Sequence, residues 1–292
     1  MFPFIDTAPR ASRPIAVLGL IVTNVAVFLW MQSLSPRLLE AAIVYYAVIP
    51  VAYTDPRHAL SLGLDPTNFL PLLTDMFMHG GWMHLLFNMW FLWIFGPAME
   101  KRFGSLGFLA LYVAGGLTAN LVHIATHIDS TEPVIGASGA VAAVIAAYAV
   151  TYPWSRVLSF VPLGFIPLVF PLPAFLFAFA WFGMQLLQGS IELTSSTMAA
   201  SVAWWAHIGG FVFGAAVGLI ARRAVPPPVV TQQTSAPWAP APQVPARPLP
   251  APMFTPPPFP PQPRLPARVP ADVWRHRGAW RVPDVPPRYP RD

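Results

Sequence analysis

Apolar residues occur in long runs along the first 222 residues of the chain, and short polar segments separate the runs. A helix that crosses a bilayer needs about 20 predominantly apolar residues, and six of the runs reach that length. We therefore predict six membrane-spanning helices, at about 14–34, 82–100, 105–127, 134–152, 172–191 and 202–221. The first run has no small-residue cleavage site, which indicates a retained span rather than a removable signal peptide.

Two further apolar pieces, 38–52 and 157–170, are too short or too interrupted for a complete span. Pro50 breaks the first piece, and Pro162 and Pro167 break the second. Proline removes a backbone donor and disrupts a helix, so these pieces are more typical of re-entrant or interfacial loops lying on the membrane. The predicted fold class is an all-α polytopic membrane protein with six spans.

The last segment, 224–292, has a different composition from the rest of the chain. It holds 22 of the 37 prolines and has almost no periodic apolar face, so it cannot form a packed core. We expect a disordered tail with polyproline II stretches, which either binds a cytoplasmic partner or serves as a passive tether. The predicted organisation is therefore an N-terminal segment, 1–13, a membrane domain, 14–223, and this tail.

Cationic residues predict the orientation of the spans. They precede the first span and follow the second, fourth and sixth, so all lie on one side: Arg10, Arg13, Lys101, Arg102, Arg156, Arg222 and Arg223. By the positive-inside rule that side is cytoplasmic. Both termini are then cytoplasmic, and the loops at 35–81, 128–133 and 192–201 lie outside.

Composition narrows the range of possible functions. The chain is 55% hydrophobic and 10% charged, and it has no cysteine, which excludes disulfides and thiolate catalysis. The formal net charge of +5 comes from the tail, which has ten arginines and three aspartates from residue 222 onward. Because the tail has no basic-aromatic module, anionic lipid head groups are a better match for it than nucleic acid.

Polar side chains inside membrane spans are costly, and each is a functional candidate until a packing role explains it. The candidates in or beside the predicted spans are His79, His84, Asn88, Asn120, His123, His127, Ser138 and His207. Three of them, His84, Ser138 and His207, lie near the outer ends of three spans that run inward. At about 1.5 Å per residue they share a depth of roughly 5–10 Å below those ends, so they can converge.

A serine and a histidine at one depth are the minimum for nucleophilic acyl transfer, in which the imidazole takes the hydroxyl proton and later donates it to the leaving amine. No acid lies in the spans at that depth, so Ser138 and His207 would act as a dyad. His84 and Asn88 are four residues apart on one helix face and can donate to an oxyanion together with the Ser138 backbone N–H.

Small residues explain how Ser138 and His207 could meet. Gly136, Gly139 and Ala143 give the fourth span a small-residue face, and Gly210 and Gly214 do the same for the sixth. Such faces let two helix backbones approach closely.

Other interpretations of these residues stay open. Ser138 could serve only to pack one helix against another, and His207 could be a histidine whose hydrogen bonds are satisfied within the helix bundle. His84 and Asn88 could form an interhelical hydrogen-bond pair. His123 and His127 are four residues apart and raise the question of a metal site, but the HExxH zinc-protease motif is absent. The serine segment also lacks the last glycine of the soluble hydrolase elbow G-x-S-x-G.

Four sequence segments, taken in order, resemble the rhomboid intramembrane serine proteases, of the simple six-span bacterial type. They are "HGGWMHLLFNMWFLWIFG" at 79–96, "EKRFG" at 100–104, G-x-S-G at 136–139 and "AHIGGFVFG" at 206–214. The resemblance covers about residues 14–221.

The resemblance implies that Ser138 is the nucleophile, that His207 is the general base and acid, and that His84, Asn88 and the Ser138 backbone form the oxyanion hole. It implies that the loop at 35–81 is a membrane-lying insertion and that His79 has a structural role in anchoring it. Glu100 with Arg102 would be a structural charged pair that holds the cytoplasmic end of the second span. Substrates would be single-span membrane proteins cut near the outer face at small residues. No cofactor and no metal are expected, and the location would be a bacterial inner membrane.

Two positions depart from the family pattern. The first outer loop has no Trp-Arg pair, and Ala142 stands where some members have a tyrosine that stacks on the catalytic histidine. The alternative to a protease is a catalytically inactive relative that binds transmembrane clients, although such proteins usually lose the serine or the histidine. A third possibility, a channel or transporter, is disfavoured because the polar groups lie near one face rather than at the midplane.

Overall fold

The computed structural model describes residues 2–163, 166–194 and 203–223, and helices dominate these residues. Five long helices hold the apolar runs: α1 (Ile15–Ser33), α6 (Trp82–Thr126), α7 (Ser138–Thr151), α8 (Ala174–Thr194) and α9 (Trp204–Arg223). Four short helices lie between α1 and α6: α2 (Pro36–Tyr46), α3 (Val51–Thr54), α4 (Pro56–Ser61) and α5 (Pro71–Thr74), with a 3₁₀ turn at Asp75–Phe77. Three strands, β1 (Phe2–Asp6), β2 (Arg156–Leu163) and β3 (Ile166–Pro173), complete the fold.

Each of the six predicted spans contains a helix. The second and third run together as α6, which changes direction at Gly104, where the backbone has φ 72° and ψ 167°. A positive φ of this kind favours glycine, so the sequence supplies the residue that the bend requires. Among the described residues, three helices are long and apolar enough to cross a membrane, Ile15–Ser33, Trp82–Thr126 and Trp204–Arg222, and α7 and α8 contain shorter apolar helices. The protein is therefore a helical integral membrane protein.

The fourth span begins later than the sequence predicts. The segment before Ser138 is extended, and Val134 forms an isolated bridge with Val48, which lies between α2 and α3. Gly136 has φ 135°, which interrupts helical geometry, so the helix can begin only after it. Ser138 is thus the first residue of α7 rather than a residue inside the span.

The piece at 157–170 is not a span, as expected, but it is not an irregular loop either. It forms an antiparallel hairpin in which Arg156 lies opposite Pro173 and Phe160 opposite Val169. The N-terminal strand β1 adds to the other edge of β2, with Asp6 opposite Val157. The expectation of an all-helical chain therefore missed a three-stranded sheet. The piece at 38–52 also has regular structure, because α2 ends at Tyr46 and α3 begins at Val51.

Two charged side chains of α6, Glu100 and Arg102, bind main-chain groups at the ends of two other helices, α1 and α9. Glu100 accepts hydrogen bonds from the backbone N–H groups of Ala16 and Val17 at the start of α1, at 2.9 and 3.0 Å. Arg102 donates to the carbonyl of Ala221 near the end of α9, at 2.6 Å. Each of the two charged groups thus binds the end of another helix. Each matches the helix dipole it meets, a carboxylate at an N-terminus and a guanidinium at a C-terminus.

A large buried core surrounds α6 and α7. Its largest fully buried side chains are aromatic, sulfur-containing or aliphatic: Tyr112, Tyr148, Phe28, Phe95, Phe108, Phe177, Met76, Met78, Leu92, Met99 and Ile145. The predicted tail at 224–292 and part of the predicted loop at 192–201 lie outside the described residues.

Candidate active site

Ser138 lies at the start of α7, where a helix has free backbone donors. The first N–H groups of any helix have no partner inside the helix, and the Ser138 N–H is one of them. The preceding turn is held by Gly136, whose N–H donates to the Asp75 carbonyl at 2.9 Å. The hydroxyl of Ser138 is therefore presented beside a backbone group that can donate to an anion.

His207 lies in the first turn of α9 and faces Ser138 directly. Its Nε2 is 2.7 Å from the Ser138 Oγ, a short hydrogen bond. The histidine is only 7% exposed, so this contact is largely shielded from bulk solvent. The two residues that the predicted depths would bring together are thus in direct contact.

Close packing of α7 against α9 produces this contact. A methyl group added at Gly210 would lie 2.0 Å from the carbonyl oxygen of Gly139, and one added at Gly214 would lie 2.0 Å from that of Ala143. A methyl group at Gly139 would in turn lie 2.4 Å from the Ala119 Cβ of α6. The backbones of the helices touch at these points, and a larger residue would push Ser138 away from His207.

The second ring nitrogen of His207 has a partner that the sequence reasoning overlooked. Gln185 of α8 lies with its Oε1 2.7 Å from the Nδ1 of His207, and its side chain is buried. The rings of Trp181 and Trp204 lie 6.0 and 5.8 Å from the His207 ring, centroid to centroid. The signal in the sequence was a glutamine within the predicted span 172–191, where a polar side chain is costly.

His84 and Asn88 lie on α6 beside the same serine. A Cβ at Gly136 would be 2.7 Å from the His84 Nε2 and 3.7 Å from the Ser138 Oγ, so the imidazole and the hydroxyl flank this glycine. Asn88 is buried one turn below His84 and donates from Nδ2 to the His84 carbonyl at 3.1 Å. Both side chains line the cavity that contains Ser138 and His207.

The cavity has a volume of about 680 Å³. Small residues, four aromatic rings and several polar side chains line it. Its lining includes Gly116, Ala119, Gly139, Phe87, Phe91, Trp181 and Trp204. A space of this size and lining fits a short stretch of apolar polypeptide.

Other predicted candidates lie around this centre. His79 is buried and packs edge-on against His84, with the ring centroids 5.1 Å apart, so it supports the ring at the site. His123 and His127 stack on each other at 4.3 Å at another part of the cavity. Within the described residues, no group of three or more His, Asp or Glu side chains could hold a metal ion.

Asn120 has a structural partner, Asp75, that the sequence reasoning also missed. Its Nδ2 donates to the Asp75 Oδ1 and to the Leu72 carbonyl, both at 3.0 Å. Burial raises the pKa of the Asp75 carboxyl well above its ordinary value, and the hydrogen bond from Asn120 opposes part of that shift. Because the Asp75 carbonyl also accepts the Gly136 N–H, this cluster links the 3₁₀ turn Asp75–Phe77 to the turn that precedes Ser138.

Comparison with known proteins gives matches to rhomboid proteins. The family model described as the Rhomboid domain matches residues 66–224. "Rhomboid protein 1, mitochondrial" of Saccharomyces cerevisiae is 27% identical over 236 residues, which cover 77% of this chain and 57% of the relative. "Putative rhomboid protease YdcA" of Bacillus subtilis is 31% identical over 118 residues, 38% of this chain and 57% of the relative. "Rhomboid protease GluP" of Bacillus subtilis is 44% identical over 70 residues, 24% of this chain and 13% of the relative. This chain thus spans 57% of the length of each of the first two relatives, less than two thirds.

Proposed function

The chain belongs to the rhomboid family, and from that premise we propose that it is an intramembrane serine endopeptidase that cleaves single-span membrane proteins. One observation carries the proposal: the Ser138 Oγ is 2.7 Å from the His207 Nε2, inside a cavity among apolar helices. This distance lies within the range that proton transfer from a nucleophile to a base requires. Two of the relatives are named as proteases, which agrees with this chemistry.

In the proposed reaction, His207 acts first as a base and then as an acid. Its Nε2 takes the hydroxyl proton as the Ser138 Oγ attacks the carbonyl carbon of the scissile peptide. The resulting tetrahedral intermediate collapses when the same nitrogen donates the proton to the leaving amine, and the C–N bond breaks. A water molecule, deprotonated by His207, then hydrolyses the ester between Ser138 and the acyl half of the substrate.

The negative charge of the tetrahedral intermediate requires hydrogen-bond donors. We assign this role to the Ser138 backbone N–H, the His84 imidazole and the Asn88 amide. The first is a free helix N-terminal donor, and the other two line the cavity beside Ser138. The Asn88 Nδ2 donates one N–H to the His84 carbonyl at 3.1 Å, and we assign its second N–H to the oxyanion.

Small side chains next to the scissile bond agree best with the cavity. Gly116, Ala119 and Gly139 are among the residues that line it, together with four aromatic side chains, Phe87, Phe91, Trp181 and Trp204. A transmembrane segment must also unwind locally before its peptide bond can reach the serine, because helical backbone groups are already hydrogen-bonded. We therefore propose that substrates have small residues and helix-breaking sequence close to the cleavage site.

We also propose that the site opens toward the outer side of a bacterial inner membrane, with both termini in the cytoplasm. The cationic residues that flank the spans support this orientation through the positive-inside rule. A reporter domain fused after residue 223 tests it. Reporter activity in the cytoplasm is the expected result, and activity outside would reverse the orientation.

A serine-reactive fluorophosphonate tests the nucleophile in the full-length protein in detergent. The wild type and Ser130→Ala should be labelled, and Ser138→Ala should not. Ser130 is the matched control because it lines the same cavity. Labelling of Ser138→Ala equal to that of the wild type would overturn the assignment.

Cleavage of a single-span substrate protein in proteoliposomes tests the base. His207→Ala should lose at least about 10²-fold in turnover, since general base catalysis contributes 10²–10⁴-fold. His127→Ala, a histidine of the same cavity, should keep its turnover. If wild-type protein binds the substrate but never cuts it, the protein is instead an inactive relative that binds transmembrane clients.

A further inference from the structure

Gln185 is a buried amide inside an otherwise apolar helix, which requires an explanation. Its side chain is 3% exposed, and its neighbours on α8 are mostly apolar. An amide without partners in such surroundings is costly, because it loses its hydrogen bonds to water. Gln185 therefore needs partners, and both of those that it has lie at the proposed active site.

The first partner fixes the orientation of the amide. The Nε2 of Gln185 donates to the Trp181 carbonyl, one turn earlier on α8, at 3.4 Å. Only an NH₂ group can donate to a carbonyl oxygen, so the other end of the amide, the carbonyl Oε1, must face His207. The Oε1 is 2.7 Å from the Nδ1 of His207.

The second contact selects the tautomer of His207. A carbonyl oxygen accepts hydrogen bonds and cannot donate them, so the Nδ1 of His207 must carry the proton. In a neutral imidazole the Nε2 is then unprotonated, and this is the nitrogen 2.7 Å from the Ser138 Oγ. The opposite tautomer would point an N–H at the hydroxyl and could not accept its proton.

Gln185 and the dyad come from three different helices. Ser138 is on α7, His207 is on α9 and Gln185 is on α8, so the chain Ser138–His207–Gln185 crosses all three. The position one turn after the serine is Ala142, whose methyl group offers no aromatic face to the imidazole. A hydrogen bond from α8 is thus an available way to fix the ring plane of His207.

We propose that Gln185 is the positioning residue of the active site, a neutral third member that holds His207 in the tautomer and orientation that Ser138 requires. This inference rests on the proposed serine protease function. A carboxylate in this place would have to be buried as a charge, which is far more costly than burying an amide. The amide supplies the same acceptor geometry without that cost.

The decisive measurement is kcat and KM for a single-span substrate, with wild-type protein and three variants in the same proteoliposomes. Gln185→Leu removes the acceptor and keeps an apolar side chain. Gln185→Glu restores an acceptor at the same position. Gln188→Leu is the matched control, because Gln188 is exposed on the same helix.

Gln185→Leu should lower kcat by about 10–100-fold and leave KM within about twofold, since an interaction that acts only on the base affects kcat. Gln185→Glu should recover most of the lost kcat and move the acidic limb of the pH profile to higher pH, because a carboxylate stabilises the imidazolium. Gln188→Leu should match the wild type in both constants.

The outcomes separate this inference from the proposed function. If wild-type protein neither cleaves the substrate nor reacts with the fluorophosphonate, the protease proposal fails, and this inference fails with it. If the wild type is active and Gln185→Leu keeps the kcat of Gln188→Leu, Gln185 does not position His207 and the protease proposal stands. If kcat only follows the unfolding temperature in both variants, and the acidic limb of the pH profile does not move in Gln185→Glu, Gln185 has only a structural role and the inference is overturned.

Discussion

Helices α7 and α9 touch through their backbones, whereas α8 reaches the active site through the side chains of Gln185 and Trp181. A methyl group at Gly210 of α9 would lie 2.0 Å from the Gly139 oxygen of α7. On α8, a methyl group at Gly183 would meet no atom within 4 Å. Instead α8 inserts Phe177 into the core, where its ring lies 5.5 Å from that of Phe95 and 6.3 Å from that of Phe91.

This difference matters for the proposed reaction. The contact between Ser138 and His207 is built on main-chain packing, which has no rotamers through which to absorb an extra atom. Gln185 and Trp181 reach the same centre by side chains alone, and side chains can adjust when their helix shifts. We therefore expect the α7–α9 contact to tolerate substitution poorly, and α8, apart from Gln185, to tolerate it well.

The strongest test of this contrast is Gly210→Ala. The added methyl group overlaps a main-chain oxygen, so the helices must separate, and overpacking of this kind costs up to about 3 kcal/mol. The free energy of unfolding in detergent should fall by that amount, and fluorophosphonate labelling of Ser138 should be lost. Gly183→Ala is the matched control on α8, where the change should raise stability by up to about 1 kcal/mol through helix propensity. Equal stability of the two variants would contradict the contrast.

A second test concerns the C-terminal half of α7, where side-chain contacts hold the helix against the N-terminal strand. The Tyr148 hydroxyl donates to the Asp6 Oδ2 at 2.9 Å, and Arg10 pairs with the other oxygen of the same carboxylate at 2.7 Å. Tyr148→Phe removes one hydrogen bond to a charged group, which costs about 2 kcal/mol. Stability should fall by that amount in a denaturant titration, while kcat stays at the wild-type value, since α7 and α9 still touch.

The exposed Tyr45 of α2 provides the control for Tyr148. Tyr45→Phe should change the free energy of unfolding by less than about 0.5 kcal/mol, as surface substitutions usually do. Loss of kcat in Tyr148→Phe would mean that the N-terminal strand also determines the geometry of the site.

The same contrast explains how much of this protein could be predicted from its sequence. Long apolar runs predict the helices because the bilayer sets their length. Gly139, Gly210 and Gly214 predict close backbone contact, because small residues matter only where main chains meet. The shared depth of Ser138 and His207 follows from the rise per residue once these helices are assigned.

Side-chain contacts between distant segments were not predictable in the same way. The strand Phe2–Asp6 pairs with β2 across about 150 residues of sequence, and nothing local to either segment identifies the partner. Gln185 carried a usable signal as a polar residue in an apolar run, but its target depends on how α8 rotates against α9. The start of α7 at Ser138 depends on the backbone of Gly136, which apolar periodicity does not report.

We expect the smallest effect when an aromatic ring of α8 is replaced by a smaller apolar side chain. Phe177→Leu keeps an apolar side chain in the core and leaves a small gap beside Phe95, so it should cost about 1 kcal/mol. Phe179 is 73% exposed on the same helix, and Phe179→Leu should be neutral within about 0.5 kcal/mol. Because α8 adjusts through its side chains, Ser138 should still react with the fluorophosphonate in both variants. Complete loss of labelling in Phe177→Leu would show that α8 determines the Ser138–His207 contact as strictly as the glycine faces of α7 and α9 do.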